Sequence, residues 1–170
     1  MKNTARFTAL SIATLVLSPL SIAANLAKQD MDFINKAAQA GQYEVQSGRL
    51  AQSKASAAET KSFAGQMVTD HTKANDELKA LVQGKGAQVP AEPSDAQKLQ
   101  LKTLGSAEGG NFDKAYAKDN VAAHEDAVKL FRTASKDAAD ADLKAFAART
   151  LPTLEHHLEM AKSLDSSVKK

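Results

Sequence analysis

Residues 63–81, FAGQMVTDHTKANDELKAL, place their apolar side chains at steps of three and four. Ala64, Met67, His71, Ala74, Leu78 and Leu81 therefore share one stripe of a helix, and Lys73, Asp76, Glu77 and Lys79 fall on the opposite face. A histidine sits in the middle of that apolar stripe. An imidazole turned into a helical core needs a partner for each ring nitrogen, so the stretch predicts a helix and a polar site inside the fold.

The same period recurs in three more segments. Over 30–55 the inner stripe is Phe33, Ala37, Ala40, Glu44, Gly48 and Ala51, with Gly41 and Gly48 allowing a neighbouring helix to come close. Over 112–136 it is Ala117, Val121, His124, Val128 and Phe131. A last helix, capped by Asp140 or Asp142, aligns Leu143, Ala147, Thr150, Leu154, His157, Ala161 and Leu164. Pro152 lies inside it and predicts a kink near Ala148, and the tail after Ser166 is expected to fray. Gly84-Lys85-Gly86 closes the second helix, Pro90 and Pro93 mark a loop, and Ser94 with Gln97 forms a capping box for a short helix. Gly105, Gly109 and Gly110 are expected to end that short helix, ahead of the third long helix over 112–136. Short turns near residues 56–59 and 138–139 then give an all-α chain: an antiparallel four-helix bundle with a short extra helix in the middle connection. Beyond the shared helical period, no internal repeat is evident.

The N-terminus reads as a cleavable signal. Lys2 and Arg6 precede an apolar run over 7–22, and Ser21-Ile22-Ala23 offers a small-x-small cleavage point after Ala23, with Ala24 as the neighbouring alternative. The expected organisation is a signal peptide over 1–23 and a single domain over 24–170, periplasmic and without a membrane span after cleavage. The chain has no cysteine, so no disulfide supports the exported domain and no lipid is attached at the cleavage point. Removing Lys2 and Arg6 from the 22 basic residues leaves 20 against 20 acidic ones. That balance, with no basic run before Lys169-Lys170, argues against a nucleic-acid partner. An envelope protein or a second copy of the chain is the partner expected.

Each long stripe carries one group able to hold a proton or a metal: Glu44, His71, His124 and His157. Measured from the two turns at 1.5 Å per residue, Glu44 and His71 lie roughly 20 Å along, His124 roughly 22 Å and His157 roughly 28 Å. One carboxylate and three imidazoles meeting in a bundle suit a single transition-metal ion, zinc, iron or copper. Asp70, Glu125, Glu155 and His156 adjoin the inner histidines as possible supporting groups, and Tyr43 and Tyr116 as nearby donors. Ordinary imidazole titration near 6.5 places the loss of metal below about pH 6. The alternative is a structural or protein-interaction module whose inner His and Glu groups form a hydrogen-bonded core, with Glu44 bonded to His71. No nucleophile–histidine signature, phosphate loop or nucleotide fingerprint occurs, so no reaction is assigned.

Three segments, FAGQMVTDHTKANDELKAL, FDKAYAKDNVAAHEDAVKLF and LKAFAARTLPTLEHHLEMA, resemble the bacterial ferritin-like domain of unknown function numbered 4142, whose members are often labelled predicted outer-membrane proteins. Asp70-His71, Ala123-His124-Glu125 and Thr150-Leu151-Pro152 carry the likeness most specifically. The resemblance implies a ferritin-like four-helix bundle in the cell envelope. A barrel is not implied, because nothing alternates with a period of two. Nor does the chain fit a di-iron centre, which needs Glu-x-x-His on two helices. Val68, Val121, Thr153 and Leu154 stand three residues before His71, His124, His156 and His157.

Overall fold

A computed structural model describes residues 26–169. The expected signal segment and its cleavage point lie outside them. The described residues form five helices and no strand: α1 (Lys28–Lys54), α2 (Ala58–Val82), α3 (Asp95–Gly105), α4 (Gly109–Asp137) and α5 (Ala141–Val168). The chain is all-α, as the periodicity predicts.

The closest packing joins α1 to α2 and α4 to α5; α1 also meets α4, and α2 meets α5. Every one of these pairs runs in opposite directions. Gly41 faces Asn75 while Gly48 faces Val68 across α1 and α2. Phe33 meets Phe131 at 5.1 Å between ring centroids and Tyr43 reaches Asp119 across α1 and α4. Asp70 meets His157 and Glu77 meets Arg149 across α2 and α5. α3 lies against α1 and α4, fully burying only Leu104.

The ends of the helices explain how the chain turns. Ser94 caps α3 through the expected capping box, its amide donating to Gln97 Oε1 at 2.9 Å. Asp140 caps α5, accepting from the amides of Asp142 and Leu143 at 3.0 Å each. The α1–α2 turn has no capping side chain of its own. Asp113, on α4, supplies one: its carboxylate accepts from the amides of Ser56 and Ala57 at 3.1 and 3.3 Å. Asp30, on α1, does the same for the α4–α5 turn, accepting from Ala139 and Asp140 at 3.0 and 2.9 Å. Each hairpin thus clamps the other's turn with a buried carboxylate placed at a helix N-terminus, where the backbone dipole favours it. One common sequence separation relates Asp30 to Asp113, Phe33 to Tyr116 and Phe63 to Phe146. The two hairpins thus share a few matched positions, though the site histidines do not follow that spacing.

Two sequence expectations change. The short helix ends at Gly105 as expected, but α4 opens three residues before the expected Phe112, with Gly109 at φ +55 as its first residue. α5 continues past Ser166 to Val168, because Leu164 remains in the core and anchors the last turns. α5 stays helical through Pro152, which is exposed, so the hydrogen bond it lacks lies toward solvent.

Two apolar clusters fill the interior. One holds Phe33, Ile34, Leu78, Phe131, Leu143 and Phe146; the other holds Ala51, Phe63, Met67, Phe112, Tyr116 and Leu164. Between them, along each of α2, α4 and α5, stands one buried histidine.

Candidate metal centre

Helical register places the histidines. On α2, His71 follows Met67 of one cluster and precedes Leu78 of the other; on α4, His124 lies between Ala117 and Val128. On α5, His157 lies between Leu154 and Ala161. The three rings form a near-equilateral triangle, with centroids 5.5 Å apart for every pair. One nitrogen from each ring lies within 4.8 Å of the other two. All three side chains are buried, His124 and His157 almost completely.

Their neighbours fix the proton positions. His124 Nδ1 lies 2.9 Å from the Asn120 carbonyl oxygen, which can only accept, so Nδ1 carries the proton. His124 Nε2 is then a free lone pair, and it faces His71 Nε2 at 3.4 Å. His157 Nε2 lies 2.9 Å from Asp70 Oδ2, so it donates there. His157 Nδ1 is left buried with no partner, a lone pair directed into the protein. An orphaned buried acceptor calls for an explanation, and a ligand to it is the simplest one. The Asp70–His157 contact is also the carboxylate–histidine arrangement that orients metal-binding imidazoles.

Burial keeps these rings uncharged. His71 is held well below the ordinary imidazole pKa by burial and then by His124 and His157. Burial takes His124 down to about 4, against the opposing bond to Asn120. His157 is lowered by burial as well, with Asp70 pulling the other way. The neutral ring is the form that binds metal. Burial thus holds His124 neutral well below the ordinary imidazole range.

Of the four residues read from the sequence, the structure brings three together. Glu44 does not join the triad. It lies on α1, 3% exposed, and neither of its carboxylate oxygens has a hydrogen-bond partner. Burial, helped by nearby Asp119, pushes its pKa up to about 8. Glu44 nevertheless lines the same open cavity of about 700 Å³ as Tyr43, His71 and His124, walled in part by Ser94, Gln97 and Gln100.

The supporting groups sort as clearly. Asp70 meets the site; Glu155 pairs instead with Arg132 at 2.6 Å, and Glu125 and His156 are exposed. Tyr43 donates to Asp119 at 3.4 Å, and the Tyr116 hydroxyl is buried without a partner. Asn120 was not legible as a site residue. Its spacing of four before His124 is the only signal that its carbonyl would meet the ring.

Three buried imidazoles between two apolar clusters, two of them also lining the open cavity, define an all-helical fold among the described residues with a nitrogen-donor centre in its core. The sequence profile of the family described as "Domain of unknown function (DUF4142)" matches residues 17–164, and the chain belongs to that family. No curated protein matches the chain. Among solved structures it is similar to "CopM in the Cu(II)-bound form", with a TM-score of 0.69 and 19% identity, covering 81% of this chain and 96% of that one. "CopM in the Cu(I)-bound form" is similar at a TM-score of 0.67 and 18% identity, with the same coverage. At this identity the likeness is one of fold. No described helix is long and apolar enough to cross a membrane.

Proposed function

We propose that the protein is an exported, periplasmic antiparallel four-helix bundle, ferritin-like in architecture, that holds one copper ion at His71, His124 and His157 and serves in copper handling in the envelope. The observation that carries this reading is the meeting of three buried, uncharged imidazoles, with the His157 Nδ1 lone pair unsatisfied. Imidazole donors suit copper, zinc and iron, and among divalent ions the general order of affinity favours copper. Fold similarity to a protein solved in both Cu(II)- and Cu(I)-bound forms supports copper over the others. His71 Nε2 and His124 Nε2 already lie 3.4 Å apart and one nitrogen of each ring lies within 4.8 Å of the other two, so holding an ion at about 2.0–2.1 Å would draw the rings together. His157 is oriented by Asp70 and His124 by Asn120. When bound, the ion supplies a redox-capable or exchangeable centre with three protein ligands.

The test is elemental analysis of protein purified from the periplasm without tag or chelator, followed by titration of the apoprotein with copper, zinc and iron salts. Near-stoichiometric copper that disappears in His124→Ala supports the proposal. Metal-free protein that takes up none of the three metals overturns it.

A second reading has the His71–His124 contact in its favour: a non-catalytic structural or interaction module with a hydrogen-bonded core, its partner an envelope protein or a second copy. It fits less well. Glu44 is not bonded to His71, and a core selected for hydrogen bonding would not leave both Glu44 oxygens and His157 Nδ1 unpartnered.

A further inference from the structure

We propose that the cavity between α1, α3 and α4 is the path by which the cation reaches the triad, and that Glu44 is the transit ligand that takes it from solvent and passes it to His71 and His124. This inference rests on the metal-binding reading above. Three observations carry it. The cavity opens to solvent and has His71 and His124 in its lining, so it connects the outside to two of the three donor rings. The opposite side of the triad is shut: His157 is 1% exposed and its outer nitrogen is occupied by Asp70 on the α2–α5 seam. Glu44 lines the cavity with two buried, unpartnered oxygens, an arrangement that costs stability and gains nothing for the core.

The chemistry of the wall agrees. A hydrated cation entering an apolar-walled space loses water and must find other oxygen donors. Gln39, Gln97 and Gln100 offer amide oxygens along the cavity, and Glu44 offers a carboxyl among the imidazoles' neighbours. Lys36 and Lys129 also line it, so carboxylates such as Glu44 and Asp126 in the same lining are needed to offset their charge toward a cation. Glu44 gives up its proton to the cavity solvent as the ion arrives and recovers one when the ion moves on. A transit group of this kind lowers the barrier in both directions, so it changes rates and leaves the equilibrium alone.

The experiment mixes apoprotein with Cu(II) in a stopped-flow instrument and follows the imidazole-to-copper absorption, with affinity measured separately by competition against a chromophoric chelator. Glu44→Gln keeps the shape and removes the charge-bearing oxygen pair. It should slow uptake and release by about tenfold, within the one to three decades over which association rates vary among variants of one site, with affinity within about twofold. Ala40→Phe, which narrows the cavity one turn from Glu44, should slow both rates similarly while leaving Glu44 in place. Unchanged rates in both variants overturn the transit path and leave the metal centre standing. A tenfold loss of affinity with unchanged association makes Glu44 a resident ligand and also overturns the proposal. Wild-type protein that takes up no copper removes the metal centre and this inference with it.

Discussion

At the scale of single residues, the interior sets two opposed proton equilibria. The triad histidines have folded pKa values below the ordinary 6.5, so the unfolded chain binds more protons than the folded one as pH falls below that value. Their contribution is complete above pH 6.5 and is lost as pH drops toward about 4, the His124 value. Glu44 works the other way: its pKa rises from 4.5 to about 8, so its contribution is complete below 4.5 and is lost as pH climbs to 8. Between 4.5 and 6.5 three histidines outweigh one carboxyl; from 6.5 to 8 the main change is at Glu44, with Asp119, also raised by burial, acting in the same direction. Apoprotein stability should therefore peak near pH 6.5 and fall on both sides. From pH 6.5 to 8 the decline should be about 2 kcal/mol. In Glu44→Gln the alkaline decline should largely vanish while the acid decline remains. Urea unfolding at a series of pH values checks this, and an alkaline slope that survives the substitution undiminished would refute it. Copper affinity should in turn persist through pH 5–6, where exposed histidines lose their metal, and competition titration across that range measures it.

At the scale of helices, the turns depend on carboxylates borrowed from the other hairpin. Asp30→Ala leaves the amides of Ala139 and Asp140 without their acceptor, and Asp113→Ala does so for Ser56 and Ala57. Each loss of a charged acceptor to two amides should cost about 2–4 kcal/mol, read as a lower urea midpoint; values under 0.5 kcal/mol would show that the clamps contribute little. Gly48 is a different case. Ala is the better helix former by about 1 kcal/mol, yet a Cβ there would lie 2.8 Å from Val68 Cγ2 and 3.1 Å from the Ala64 carbonyl oxygen. Gly48→Ala should destabilise, because the backbone oxygen cannot retreat without parting α1 from α2. The close approach at Gly48 was legible in the sequence, since a glycine in an apolar helical stripe has few other reasons to be there. The clamps were not. A short acid early in a helix reads equally as a local cap or as surface, and only the distant turn it meets distinguishes them. Gly109 and Gly110 hid the true start of α4 for a related reason: glycine inside a helix costs about 1 kcal/mol against Ala, so the sequence reading begins that helix only at Phe112. Periodicity placed His71, His124 and His157 because it reports which face a residue shares. Glu44 was read as a fourth member of the set because it shares the inner face at a similar height, but the three imidazoles meet without it, and helical period alone does not say which inward groups touch.

At the scale of the molecule, the triad joins two halves that otherwise meet through thinner contacts. Within a hairpin, α1 lies along α2 and α4 along α5; between hairpins the packing is sparser, and the Asp30 and Asp113 clamps sit at the two ends. The histidines occupy the middle, where the two apolar clusters leave a gap. His124 and His157 belong to one hairpin and His71 to the other, so a bound ion draws α2 onto the α4–α5 pair. The metal should thus act as a clasp and not only as cargo. Saturation at a hundredfold excess over Kd adds about 2.7 kcal/mol to stability, which for a domain of this size raises Tm by roughly 5–10 °C. The gain should be uneven. Amide hydrogen exchange should slow around His71 on α2 and around His124 and His157 on α4 and α5, with little change at the clamped turns. His71→Ala removes the only ligand from the first hairpin and leaves two on the second. In that variant copper should neither protect α2 nor raise Tm appreciably, even if His124 and His157 retain weak binding. A Tm gain in His71→Ala equal to that of the wild type would mean that the ion stabilises one hairpin alone, and the clasp would have to be abandoned. Protection of α2 that appears with copper and disappears with His71 would tie the stability of the whole molecule to a single imidazole crossing between its halves.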